Sequence, residues 1–147
     1  MEIRVPMMRV RDGAVRPEYA HGPAEDAGLD LTYCGAEVVV LAPGERAALP
    51  TGIAIELPAG FEGQIRSRSG LALKKGIVVL NAPGTIDPSF RGEIVVILIN
   101  LGNQDQKVMP GERIAQLVVG AYATPVLEDV AELGKTRRFD SGFGSTG

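Results

Sequence analysis

Three short stretches carry side chains suited to a phosphorylated ligand. Arg66-Ser-Arg-Ser-Gly-Leu-Ala72 sets guanidinium and hydroxyl groups just ahead of the one run with helical character, Ser69 to Lys75. The first N–H groups of a helix are unsatisfied and attract anions, so this is a candidate anion site. A helix capped by Ser69 with solvated arginines is the simpler alternative. In Asn81 to Glu93 (NAPGTIDPSFRGE), Asp87 stands between Ile86 and Pro88 in a turn-rich loop flanked by apolar strands. A carboxylate held in a cleft can act as general base for water; an Asx-turn residue is the bland alternative. The third stretch, Gly142-Phe-Gly-Ser-Thr-Gly147, formally matches GxGxxG. A dinucleotide fingerprint requires a strand before it and a helix after it, and a Walker A loop requires a lysine before the Ser-Thr pair; neither condition is met. What survives is the underlying physics. Glycines admit close backbone approach, N–H groups and two hydroxyls can cradle phosphate oxygens, Arg137 and Arg138 add charge, and Phe143 offers a flat face to a base. Taken alone, a mobile tail is the simpler reading.

Two further residues stand out. Asp30, between Leu29 and Leu31 after Ala27-Gly28, is either a turn carboxylate or a contact for water on magnesium. Gln116 interrupts the apolar run Arg113-Ile-Ala-Gln-Leu-Val-Val119, where alternation puts it on one face with Ile114 and Val118. A glutamine there needs a partner, from the protein or from a ligand.

The elements that must position these residues are short strands. Nineteen Gly and ten Pro in 147 residues, with turn signals at Pro43-Gly44, Pro58-Ala-Gly60, Pro83-Gly84, Gly102-Asn103 and Pro110-Gly111, leave little room for long helices. Ile53, Ile55 and Leu57 alternate as in a half-buried strand, and Phe61, Gly63, Ile65 and Ser67 share a face opposite Glu62, Gln64, Arg66 and Arg68. Residues 94–99 are apolar on both faces, so either a sandwich interior or a second subunit must cover them. The length fits one domain, a β body over 1–134 followed by an aperiodic arm over 135–147 that is disordered or ordered by a ligand or another chain.

Composition narrows the function. A net charge of −3 argues against a general nucleic-acid binder, while leaving room for arginines converging on one small anion. One Cys (Cys34) and one His (His21) are too few for a structural zinc site and rule out an intrachain disulfide, so any metal is expected to be hard and oxygen-liganded. No stretch reads as a signal peptide or a membrane span, so a soluble, cytoplasmic protein with no membrane partner is expected.

Taken in order, the segments resemble the five motifs of the trimeric dUTPases. Ala27-Gly-Leu-Asp-Leu31 is similar to the first, Arg68-Ser-Gly-Leu-Ala72 to the second, and Asn81 to Glu93 to the third. Gly111-Glu-Arg-Ile-Ala-Gln-Leu117 is similar to the fourth, and Arg138 with Gly142 to Gly147 to the fifth. The match runs from about Ala27 to Gly147, and five motifs in order are far more specific than one. The resemblance implies an all-β, jelly-roll-like barrel or sandwich with one short helix, assembled as a homotrimer whose active sites are shared, the arm closing over a neighbour. It implies hydrolysis of dUTP to dUMP and pyrophosphate with Mg2+. Asp87 would activate the attacking water. Arg68, Ser69, Gly70, Gln116, Arg138, Ser145 and Thr146 would hold the phosphates. Asn81, Gly84, Thr85, Ile86, Phe90 and Phe143 would surround uracil and deoxyribose, and Asp30 would reach magnesium through water. The chain departs from the pattern at Phe90, where most relatives have Tyr, and at Phe139 and Ser141, where glycines are usual.

Two rivals share the fold. A dCTP deaminase resembles Ser-Ser-Leu-Ala-Arg in the second motif and carries a glutamate base on a later strand, whereas Leu73 follows Ala72 here and 94–99 holds no carboxylate. A silent nucleotide-binding module should lack the base or the arm, and Asp87 and the glycine-rich terminus are both present.

Overall fold

The frequent Gly and Pro turns cut the chain into short strands, and the computed structural model describes them for residues 2–137, 140 and 142. The order is β1 (Met7–Arg9), β2 (Leu29–Thr32), β3 (Val39–Leu41), β4 (Arg46–Pro50), β5 (Ile53–Ile55), β6 (Phe61–Arg66), α1 (Ser69–Lys75), β7 (Ile77–Val79), β8 (Gly84–Ile86), β9 (Val95–Asn100), β10 (Gln106–Val108) and β11 (Arg113–Ala121). The architecture is the expected all-β, jelly-roll-like one, with a single short helix among the described residues. A four-stranded sheet runs β2-β11-β6-β8 and a three-stranded one β4-β9-β7, with the pairs β1-β5 and β10-β3 beside them. Every pairing is antiparallel.

The core is aliphatic. Leu31, Leu41, Leu49, Ile53, Ile77, Val96, Leu98 and Ile114 are at most 2% exposed, and Ile65 and Leu117 join them from the four-stranded sheet. The alternation expected for β6 holds, with Gly63 and Ile65 buried and Arg66 exposed. On its polar face Arg66 donates to Gln64, which donates to Glu62. In β9, Val96, Leu98 and Asn100 are buried while Val95 is exposed and Ile97 and Ile99 are half-buried. One face therefore lies in the sandwich, and the other is only partly covered by this chain. Asn100, fully buried, donates to the carbonyls of Leu41 and Gln104 and accepts from the Gly102 N–H. Leaving such groups unpaired would cost about 1–3 kcal/mol each.

Three local expectations change. The helix N-cap is Arg68, without a side-chain cap bond, and Ser69 is already the first helical residue. The turn-rich loop that holds Asp87 carries a strand of its own, β8, which pairs with β6 while the flanking β7 and β9 pair with each other in the other sheet. The chain crosses between sheets at residues 80–83, and the turn is closed by Ala82 N–H donating to Val79 O. Finally, a register break between Arg113 and Ala115 interrupts the alternation of β11. Ile114 consequently packs in the core with Ala115 and Leu117, while Gln116 and Val118 look into a cleft.

After Ala121, residues 122–137 form no strand or helix, and Val126, Leu127 and Leu133 are 85–91% exposed. Among the described residues, no helix is long and apolar enough to cross a membrane.

Candidate active site

Pairing sets the first group of residues in one row. In register, Asp30 on β2 lies opposite Gln116 on β11, and Gln116 lies opposite Arg66 on β6. Directly after β6 the chain turns into α1, which brings Arg68, Ser69 and Gly70 to the same place. The result is a cleft of about 510 Å3 whose lining includes Ala27, Gly28, Asp30, Arg66, Arg68, Ser69, Gly70, Lys74, Lys75 and Gln116. Three of the matching segments, far apart in sequence, thus converge. Four cationic side chains (Arg66, Arg68, Lys74, Lys75) and two carboxylates (Asp26, Asp30) line it, a balance that favours a polyanion.

The side chains are already tied in place. Asp30 Oδ1 accepts from Arg68 Nε at 3.0 Å, and its Oδ2 accepts from Arg113 Nη1 at 2.9 Å. The Asp30 side chain is only 15% exposed. Gln116 Nε2 donates to the Ser67 carbonyl at 3.0 Å, so the partner this glutamine requires is supplied by the protein. Its amide lies against the backbone of Gly28: a Cβ there would fall 2.5 Å from Gln116 Oε1. Gly28 thus lets the Gln116 amide approach closely, and no unusual backbone angle is involved. The preceding loop is pinned by Asp26, which accepts from the His21 and Gly22 N–H groups and faces His21 Nδ1. The His21 backbone N–H, chiefly, and then its ring hold the Asp26 carboxyl below the usual 3.8.

The Asp87 segment lies elsewhere on the chain. Asn81 Nδ2 comes against Gly84, and Gly84, Thr85 and Ile86 form β8, which among the described residues is paired on one side only, with β6. Its outer backbone edge therefore faces away from the sheet. Asp87 is exposed just beyond the strand, in a turn closed by Phe90 N–H donating to Asp87 O at 3.0 Å. Arg91 Nη1 donates to the carbonyls of Pro88 and Phe90, and Arg91 Nη2 reaches Glu56. Phe90 is 41% exposed, its ring folded over Gly92. Ile86 is opposite Gly63, three positions along β6 from Arg66 or about 10 Å, with two strand spacings, roughly 10 Å more, between β8 and β11. None of Asn81, Gly84, Thr85, Ile86, Asp87 and Phe90 lines the cleft that holds Gln116. One chain thus carries two separate groups of candidate residues.

Arg138, Phe143, Ser145 and Thr146, together with the departures Phe139 and Ser141, lie outside the described residues. Two contributors went unnoticed in the sequence. Arg113 should, by strand alternation, point away from Gln116. Glu93 Oε1 accepts from Arg11 Nε at 2.7 Å and from the Gly52 N–H at 2.8 Å, tying the end of the Asp87 segment to the N-terminal part of the chain. No short-range pattern announces either contact.

Comparison with known proteins agrees with the family resemblance. The family model described as dUTPase matches residues 17–147. A protein named deoxyuridine 5'-triphosphate nucleotidohydrolase from Hydrogenobaculum sp. (strain Y04AAS1) is 54% identical over 139 residues, covering 95% of this chain and 94% of the relative. One of the same name from Solibacter usitatus (strain Ellin6076) is 50% identical, covering 100% and 97%. Among solved structures, a mutant of the Staphylococcus bacteriophage 80alpha dUTPase with dUpNHpp has a TM-score of 0.88 at 29% identity, covering 98% of each chain. A mutant dUTPase from phage phi11 of S. aureus, described with a structural Mg(II) ion, has a TM-score of 0.79 at 27% identity, covering 88% of this chain and 98% of the other. With its family model matched from residue 17 to the last residue and relatives near half-identical over almost its whole length, this chain belongs to the dUTPase family.

Proposed function

We propose that this member of the dUTPase family hydrolyses dUTP to dUMP and pyrophosphate by attack of an Asp87-activated water on the α-phosphorus, in a site that copies of the chain build together as a homotrimer. The observation that carries this reading is the division of the chain. A cationic cleft holds Asp30, Arg68, Ser69, Gly70 and Gln116, while the exposed carboxylate of Asp87 stands on another edge of the same sheet. A triphosphate in the first group of residues and a water on the second are brought together when one chain's cleft meets a neighbour's β8 edge. The arm, with Arg138, Phe143, Ser145 and Thr146, would close over the assembled site. Neighbouring copies would also cover the half-buried face of β9.

In the cleft, the Arg68 guanidinium, the backbone N–H groups of Ser69 and Gly70 and the Gln116 amide bind phosphate oxygens. The outer edge of β8 offers alternating N–H and C=O groups to the edge of uracil, with Asn81 beside them. A cytosine would leave these groups unpaired, which is costly in a buried site. The Phe90 ring packs on the deoxyribose and leaves no space for a 2′-hydroxyl. Asp87 accepts a proton from water as the water oxygen bonds to the α-phosphorus. The bond from that phosphorus to the bridging oxygen breaks, and pyrophosphate leaves with its charge met by Arg68. Such chemistry is mostly positioning and neutralisation of charge.

The residues fit magnesium of one kind. Among the described residues, no three His, Cys, Asp or Glu side chains cluster closely enough to cage a metal. Asp30 already accepts a guanidinium on each oxygen, although a carboxylate has further lone pairs for water. This donor set suits an ion carried mainly by the phosphates and touched by Asp30 through water; when bound it would neutralise charge on the leaving group. A dCTP deaminase or a silent module is not favoured, since relatives about half-identical over almost the whole chain are named nucleotidohydrolases.

The test is pyrophosphate release from dUTP, dTTP, dCTP and UTP, with and without Mg2+. Only dUTP should turn over rapidly. Asp87→Asn should keep binding of a non-hydrolysable dUTP analogue while kcat falls by about 10²–10⁴. Full activity in that variant, or ammonia release from dCTP, would overturn the reading.

A further inference from the structure

Arg113 reaches the nucleotide cleft without lining it. Residues 113 and 116 of a regular strand point to opposite faces. The register break after Arg113 inserts an extra residue and turns its side chain to the Asp30 side, as β-bulges commonly do next to active sites. A closed ring of contacts results. Arg113 Nη1 donates to Asp30 Oδ2 at 2.9 Å, Arg68 Nε donates to Asp30 Oδ1 at 3.0 Å, and Arg68 Nη1 donates to the Arg113 carbonyl at 3.3 Å. Asp30 borders both the cleft and a second hollow of about 330 Å3 behind it. Arg113 lines that second hollow and not the cleft, with its side chain 55% exposed.

Charge makes the arrangement meaningful. Asp30 paired with Arg68 alone would largely cancel the cation expected to meet the phosphates. A second guanidinium returns the trio to a net charge of about +1 and holds the carboxylate from its far side, so that Arg68 keeps one orientation. We propose that Arg113 is a positioning residue for the triphosphate: acting through Asp30, it fixes the Arg68 guanidinium and keeps that end of the cleft positive. The proposal rests on the reading above that Arg68 binds the phosphate chain. It concerns the β- and γ-phosphate end of the ligand and leaves the base and sugar to β8 and its neighbours.

The experiment titrates the full-length protein with dUpNHpp and, separately, with dUMP, by calorimetry, for the wild type, Arg68→Gln, Arg113→Gln and Arg113→Lys. Arg113→Gln should weaken dUpNHpp binding about tenfold, the size expected for directly coupled groups, and change dUMP binding less than about twofold. Arg113→Lys, which restores the charge without the planar fork, should fall between it and the wild type. If Arg113→Gln does not fold, Arg113→Lys decides, with weakened dUpNHpp binding and unchanged dUMP binding expected. Equal weakening of both ligands, or wild-type affinity for dUpNHpp in the variants, overturns the proposal while leaving Arg68 in its role. Unaltered dUpNHpp binding in Arg68→Gln instead sinks the reading on which it rests.

Discussion

Gln116 shows how little freedom a single side chain in the cleft retains. It is half-buried, bonded to Ser67 O, and packed on Gly28, where a Cβ would run into its amide. Gly28→Ala should therefore displace the amide rather than the backbone, because the side chain is the softer of the two. A hydrogen bond to a charged group is worth about 1.5–3 kcal/mol, so KM for dUTP should rise by about tenfold or more with kcat changed less. Steady-state kinetics on a variant with an unshifted melting temperature would check this. Unchanged KM would mean that Gln116 does not touch the ligand. Gly28 precedes Asp30 by two residues, and no pattern in the sequence links it to position 116. That contact exists only because β2 and β11 pair in this register.

Between elements, Glu93 is the main tie. It stands just ahead of β9 and binds Arg11, which follows β1, and the N–H of Gly52, which precedes β5. The Arg11 hydrogen bond, first, holds the Glu93 carboxyl below the ordinary 4.5; desolvation opposes this, and the Gly52 N–H and the Arg11 charge add to the lowering. A group with a depressed folded pKa stabilises the fold fully above its unfolded pKa and loses that contribution as pH falls through the folded value. Stability should thus be flat in this respect above about pH 4.5 and fall below it. Glu93→Gln should cost about 1 kcal/mol near neutral pH, a modest value because Arg11 is half-exposed, and should flatten the acid limb. Denaturant melts of both proteins between pH 3 and 7 would measure it. Parallel curves would remove Glu93 from the account.

For the whole molecule, the separation of the cationic cleft from Asp87 gives the sharpest expectation. If each site takes its cleft from one copy and its base from another, two inactive variants can complement each other. Asp87→Asn and Arg68→Gln should each be nearly inactive. Unfolded, mixed in equal amounts and refolded together, they should recover about a quarter of wild-type activity, the share of sites that draw both intact groups under random assembly of a closed oligomer. Pyrophosphate release by the mixture measures this directly. No recovery, with mixed oligomers present by mass, would show that every site lies within one chain.

Several of the strands, the short helix and the aliphatic core were legible in the sequence, because turn residues and alternation act over a few residues. The motif order carried the family for the same reason: each motif is a local chemical unit. Tertiary structure alone decided that Asp30, Arg68 and Gln116 meet in one cleft and that Asp87 does not join them there. It also decided that β7 and β8 part into different sheets and that Arg113 turns toward Asp30. Those facts depend on strand register and on one inserted residue, and register is set by which faces of distant strands can be buried together.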